Sequence, residues 1–129
     1  EEGEENRIIL DKEFEKAQYC TIFELEAVLK DKQNKLYRTS SNMNFIFTQN
    51  LQYAERFNKY GSSGDLDKMA KKGISIRELI KDAKLDTVEE SQIINLLPLD
   101  AEEAFSLIPS LKEKLSKESM QYFLNELVK

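Results

Sequence analysis

A Ser, Thr or Asp followed three residues later by Glu recurs along this chain, as Thr21 with Glu24, Ser75 with Glu78, Thr87 with Glu90 and Asp100 with Glu103. At a helix start such a pair satisfies two orphan backbone amides, the first side chain accepting from the N3 amide and the Glu carboxylate reaching back to the cap. The recurrence predicts a series of short, separately capped helices. No stretch among them alternates polar and apolar residues as a half-buried strand would.

The apolar residues fall where those starts put them. Thr21 opens a helix with Leu25, Val28, Leu29 and Leu36 on one side, and Cys20 is placed to staple onto Leu25. A second helix begins near Ser41 or Asn42 and counts Phe45, Ile46, Ala54, Phe57 and Tyr60 among its apolar contacts until Gly61 stops it. Residues 61–64, GSSG, form a flexible joint. Leu66, Met69 and Ala70 then predict a short helical turn that Gly73 ends. Ser75 caps a helix bearing Leu79, Ile80 and Ala83, with Ile74 stapled to Leu79. Thr87 opens a helix carrying Ile93, Ile94 and Leu97 ahead of Pro98, and Asp100 starts another directly after it.

The stretch AEEAFSLIPSL, residues 101–111, is a deliberate corner. Pro109 disfavours helical geometry at Ile108 and lacks the amide a helix interior needs, so the helix from Asp100 ends after about two turns. Leu107, Ile108 and Leu111 are expected to bury together there. Ser116 then caps a last helix presenting Met120, Phe123, Leu124 and Leu127. Short helices meeting at sharp corners predict an all-α fold, a small helical bundle. No heptad persists for three repeats, which excludes a coiled coil.

The first twenty residues follow a different pattern. EEGEE is an acidic lead, and Ile8, Ile9, Leu10 and Phe14 make an apolar strip with no sheet to join. A lone strand leaves its amides and carbonyls unpaired, so such a strip either packs back as coil or adds to the edge of another protein's sheet. Both outcomes are open on physical grounds.

Composition removes several function classes. With no histidine and one cysteine among 129 residues, the chain has neither a Ser-His or Cys-His pair nor a zinc cluster nor an internal disulfide. That cysteine usage fits a reducing intracellular compartment, and Cys20 reads as structural because no neighbour lowers its pKa. Glu89/Glu90 and Glu102/Glu103 sit where helix starts want acid, so they read as capping residues rather than catalytic ones. No phosphate-cradling glycine loop is present, and we expect no catalytic residue, cofactor or metal. No apolar run approaches the roughly 18 residues of a membrane span, and the chain does not begin with a signal peptide. A net charge of −5 argues against wrapping duplex DNA. Arg56, Lys59, Lys68, Lys71 and Lys72 flank the joint with Tyr53 and Tyr60 interleaved, which leaves a single-strand nucleic-acid-binding module as an alternative, although a solvated surface suits the chain's overall sign better.

DKEFEKA, LQYAERFNKY and above all AEEAFSLIPSL resemble the fourth-subunit family of eukaryotic RNA polymerase II, which has relatives in the archaeal polymerase. The resemblance runs from about Ile8 to Lys129, and residues 75–111 follow the family's C-terminal pattern without a gap. Leu96, Pro98, Glu102, Glu103, Leu107, Ile108, Pro109, Ser110 and Leu111 match its Leu-x-Pro and Glu-Glu…Leu-Ile-Pro-Ser-Leu elements. Residues 61–73 are longer than the family's usual joint, Leu97-Pro98 stands where Cys-Pro is frequent, and the long charged insertion of some fungal members is absent.

The resemblance implies a non-catalytic stalk subunit in the nucleus. It would form a heterodimer with the polymerase's seventh subunit, an OB-fold protein, near the RNA exit path and support transcription initiation. Contact with nucleic acid would be indirect or weak, and none with a membrane is expected. It further implies an acidic lead and partner-binding arm over 1–20, N-terminal helices over 21–60, a joint over 61–73 and an HRDC-like helical bundle over 74–129. Ile8, Ile9, Leu10 and Phe14 would supply the arm's contacts and Leu25, Val28 and Leu29 part of a helical contact. The corresponding subunit of RNA polymerase III is the alternative within this class, and its family shows the LIPSL corner poorly.

Overall fold

Six α-helices and one 3-10 turn, with no strand among the described residues, realise the all-α class that the caps predict. The structure is a computed structural model that describes residues 12, 13, 16–33, 41–61 and 64–129, with backbone alone at 41–43. The helices are α1 (Ile22–Gln33), α2 (Ser41–Phe57), α3 (Leu66–Lys81), α4 (Thr87–Leu96), α5 (Ala101–Leu107) and α6 (Lys117–Leu127), with the 3-10 turn at Pro109–Glu113 between the last two. Ile8, Ile9, Leu10, Phe14, Leu36, Ser62 and Ser63 lie outside the described residues.

The helix starts show which pairs cap. The Thr21 hydroxyl accepts from the Glu24 amide at 3.2 Å, and Glu24 Oε1 accepts from the Thr21 amide at 3.2 Å, a complete reciprocal box. Asp100 accepts from the Glu103 amide at 2.8 Å, and Ser116 from the Ser119 amide at 3.2 Å, both as expected. At α4 the register is one residue earlier than Thr87 with Glu90. Asp86 is the cap and Glu89 closes the box, because Asp, Thr, Glu and Glu at 86, 87, 89 and 90 offer two overlapping pairs.

The break expected at Gly73 is absent, and α3 runs straight through it. Asp65 Oδ1 caps this helix by accepting from the Asp67 and Lys68 amides, while the Ser75 hydroxyl donates back to the Lys71 carbonyl inside the helix. Gly73 has an ordinary helical backbone and is buried beside the Phe23 ring. The glycine there lies inside a packed helix and is not a stop.

By contacts the chain divides into two units, Cys20–Ser75 and Ile76–Lys129 with the described residues up to Tyr19. In the first, α1 packs on α2, and Phe23, Leu51, Ala54 and Met69 are buried. Glu26 is also buried, fully. Its carboxylate is matched by Lys30 Nζ at 2.8 Å and accepts from the Asn58 side-chain amide, which lets a charge stay in the interior. The Asn58 backbone amide makes the last helical bond of α2, to the Ala54 carbonyl, and Asn58 Oδ1 then accepts from the Tyr60 amide at 2.8 Å, which turns the chain out of the helix before Tyr60, while Gly61 serves the following turn at φ +83°.

In the second unit α5 packs on α6 and on the 3-10 turn. Ile80, Ile93, Ile94, Ala101, Ala104, Ile108, Leu111 and the expected Met120, Phe123, Leu124 and Leu127 of α6 are buried. Ile108 leaves the helical region, at φ −132° and ψ 81°, ahead of Pro109, which starts the 3-10 turn, and so the corner forms where proline demands it. Leu107 departs from expectation at 49% exposed: it is the last residue of α5 and, about 60° around the helix from Ala104, falls at the edge of the buried face. Ile74, at 59% exposed, staples nothing, and Cys20 is exposed with its thiol donating to the Thr21 carbonyl at 3.7 Å.

Candidate partner interface

The α2 helix buries Leu51 and Ala54, half-buries Phe47 and leaves four large apolar side chains in water. Phe45 is 65% exposed, Ile46 and Tyr53 are 56% exposed and Phe57 43%. At about 100° per residue these four fall within an arc of about 120°, so they line one side of the helix. Tyr53 and Phe57 pack on each other with ring centroids 4.6 Å apart, and the Arg56 guanidinium lies 5.5 Å from the Phe57 ring. The helix's one carboxylate in the sequence, Glu55, sits off this arc and within 3.8 Å of Lys30. The surface is therefore aromatic, and of the charged residues of α2 it carries the cation and not the acid.

Phe45, Ile46 and Phe57 were expected to pack inside. A periodic pattern identifies an apolar face but not whether this chain or another covers it, and α2 carries more apolar residues than its contact with α1 uses. The α1 residues behave as mixed contacts. Val28 is 47% exposed, while Leu25 and Leu29 are half-buried. The side of α1 that turns inward is instead that of Phe23 and Glu26.

The basic residues do not assemble into a stacking platform. Arg56, Lys59, Lys68 and Lys71 are exposed, but Lys72 is half-buried, with Nζ donating to the Tyr60 carbonyl at 2.8 Å and lying 5.8 Å from the Tyr60 ring. That ring packs edge-on against Phe23 at 5.7 Å, and burial raises its phenol well above the ordinary value of 10.0. Tyr60 is thereby committed to the core of its own unit.

The paired carboxylates are structural. Glu89, 2% exposed, accepts from Ser110 at 2.6 Å, from Lys114 at 2.7 Å and from the Asp86 amide at 2.9 Å. Burial pushes its carboxyl up, and these three donors together outweigh that and hold it below the ordinary value of 4.5. Glu103 accepts from the Leu99 amide, and Glu102 pairs with Lys117. Among the described residues no group of three His, Cys, Asp or Glu is placed to hold a metal ion, and no helix is long and apolar enough to cross a membrane.

Comparison with known proteins places these features in a lineage. The sequence profile of the family described as RNA polymerase Rpb4 matches residues 5–129. The chain is 29% identical to DNA-directed RNA polymerase II subunit 4 of Arabidopsis thaliana over 98% of its own length and 93% of that protein's. It is 31% identical to DNA-directed RNA polymerase II subunit rpb4 of Dictyostelium discoideum, over 70% of this chain and 54% of that one.

Proposed function

Because the chain belongs to the RNA polymerase Rpb4 family, we propose that it is a non-catalytic stalk subunit of RNA polymerase II, working in the nucleus as a heterodimer with the seventh subunit and supporting transcription initiation. Both relatives carry the name of a polymerase II subunit, which favours that enzyme over polymerase III. In this reading the arm binds the partner through Ile8, Ile9, Leu10 and Phe14. The helical part of the contact uses Leu25, Val28 and Leu29 of α1 together with the arc of α2. The region from residue 74 onward acts as the HRDC-like bundle.

The observation that carries the partner reading is the exposed row of Phe45, Ile46, Tyr53 and Phe57. Contiguous apolar surface of this kind on a soluble chain marks a place where another molecule sits. A nucleic-acid-binding reading gains less, since Tyr60 is half-buried with its ring packed on Phe23 and is held by Lys72.

Co-expression with a seventh-subunit homologue tests the proposal. The expected result is a soluble 1:1 complex from a chain that is poorly behaved alone. Equal behaviour alone and together, with no complex on size exclusion, would refute it.

A further inference from the structure

Glu90 is one carboxylate the α4 cap does not use, since Asp86 and Glu89 form the box, and it accepts instead from the Tyr19 hydroxyl at 2.7 Å, 71 residues away in sequence. Tyr19 is held at two further points by one side chain. Arg77 Nη2 donates to the Tyr19 carbonyl at 2.8 Å, and the same guanidinium lies 4.2 Å from the centre of the Tyr19 ring. Hydroxyl, ring and backbone of one residue are thus all bound, by α3 through Arg77 and by α4 through Glu90. All three side chains are half-buried, which strengthens charge-assisted contacts relative to a fully wet surface.

The placement gives this clamp a consequence. Tyr19 lies outside any helix, two residues before the Thr21 cap of α1 and directly after the chain's first segment. We propose that Tyr19, clamped by Arg77 and Glu90, is a positioning residue: it pins the root of the N-terminal segment to the C-terminal unit, so that the arm leaves from a fixed point when it meets the seventh subunit. This rests on the stalk reading for the identity of the partner and on the three contacts for the pin itself. A root held in one place removes part of the ordering cost of binding, because an arm that starts from many positions binds only from the fraction that is competent.

The chemistry selects tyrosine. Phenylalanine would keep the ring under Arg77 and lose the bond to Glu90, whereas a small side chain would lose both and keep only the carbonyl contact. Tyr19→Phe and Glu90→Ala therefore remove the same interaction from opposite ends, and in combination should cost no more than either alone.

The test uses the full chain. Amide hydrogen exchange over residues 17–21 of the free protein reads the pin without any partner, and titration with the seventh subunit reads its effect on binding. Tyr19→Phe and Glu90→Ala should each speed exchange there by about fivefold and weaken the heterodimer by a similar factor, with Arg77→Met above tenfold in both. Tyr122→Phe, on an exposed residue of α6, should change neither. Unchanged exchange in Tyr19→Phe would overturn the pin, and faster exchange with unchanged affinity would reduce it to a stabilising contact and overturn the positioning role. A wild-type chain that fails to bind the seventh subunit would instead overturn the stalk reading, an outcome visible before any variant is made.

Discussion

Glu89 shows how one residue's spacing in sequence carries less than its place in the fold. Its offset from Asp86 makes it legible as a helix-start acid, but the bonds from Ser110 and Lys114 come from 21 and 25 residues away and leave no local trace. Removing Lys114 by Lys114→Met leaves a buried carboxylate without its ion. We expect a loss of about 1 to 3 kcal/mol, less than for a fully enclosed pair because the ammonium is 30% exposed. The pair also has a pH signature. With its folded pKa below 4.5, Glu89 contributes fully above the unfolded value and loses that contribution as pH falls through the folded one. For Lys114, burial pulls the ammonium down, but Glu89 and Asp86 hold it above 10.5, so its contribution is complete below 10.5 and lost at higher pH. Denaturant melts should show a constant deficit in Lys114→Met between about pH 5 and 10 that shrinks at the acid end. The corner separates two leucines in the same way. Leu111→Ala should cost about 2 to 4 kcal/mol and Leu107→Ala less than about 1, since the first is fully buried and the second half in water. Equal costs would mean that Leu107 is covered in solution.

At the scale of elements, the caps and Pro109 made most boundaries legible, because each acts within four residues of itself. The starts at Thr21, Asp100 and Ser116 and the corner at Ile108 all depend on such local chemistry. Gly73 was misleading for the opposite reason. A glycine in a helix costs about 1 kcal/mol against alanine, which in sequence looks like a break, but helix formation is decided by what the helix packs against. A Cβ built at Gly73 would meet the Phe23 ring at 3.6 Å, an ordinary van der Waals contact, and the backbone is not left-handed. Gly73→Ala should therefore raise stability by about 0.5 to 1 kcal/mol. A thermal melt that fell instead would show that the methyl does not fit beside Phe23 as the 3.6 Å contact indicates.

For the whole molecule, the sequence announced its class through the caps and its lineage through the corner, but it could not divide apolar faces between self and partner. Val28, Phe45, Ile46, Tyr53 and Phe57 have the same periodic look as the buried Leu51 and Ala54, and only the folded chain separates them. That separation gives the proposed interface a direct test. A charge at Tyr53 is wet in the free subunit, so Tyr53→Glu should shift its melting by less than about 0.5 kcal/mol. In the heterodimer the same carboxylate would be driven into an apolar contact, with Arg56, about one turn of helix away, as the cation α2 offers it. Burying it without adequate pairing costs several kcal/mol, and a loss of about 3 kcal/mol is a weakening of more than a hundredfold. Leu51→Ala supplies the contrast, since a buried leucine on the inner side should lower melting by about 2 to 4 kcal/mol while leaving the affinity of the folded fraction nearly intact. Titration of both variants with the seventh subunit, beside melts of the free chains, decides the matter. If Tyr53→Glu binds as the wild type does, the aromatic side of α2 is not where the partner sits, and the helical contact must then be sought at Val28 and its neighbours on α1.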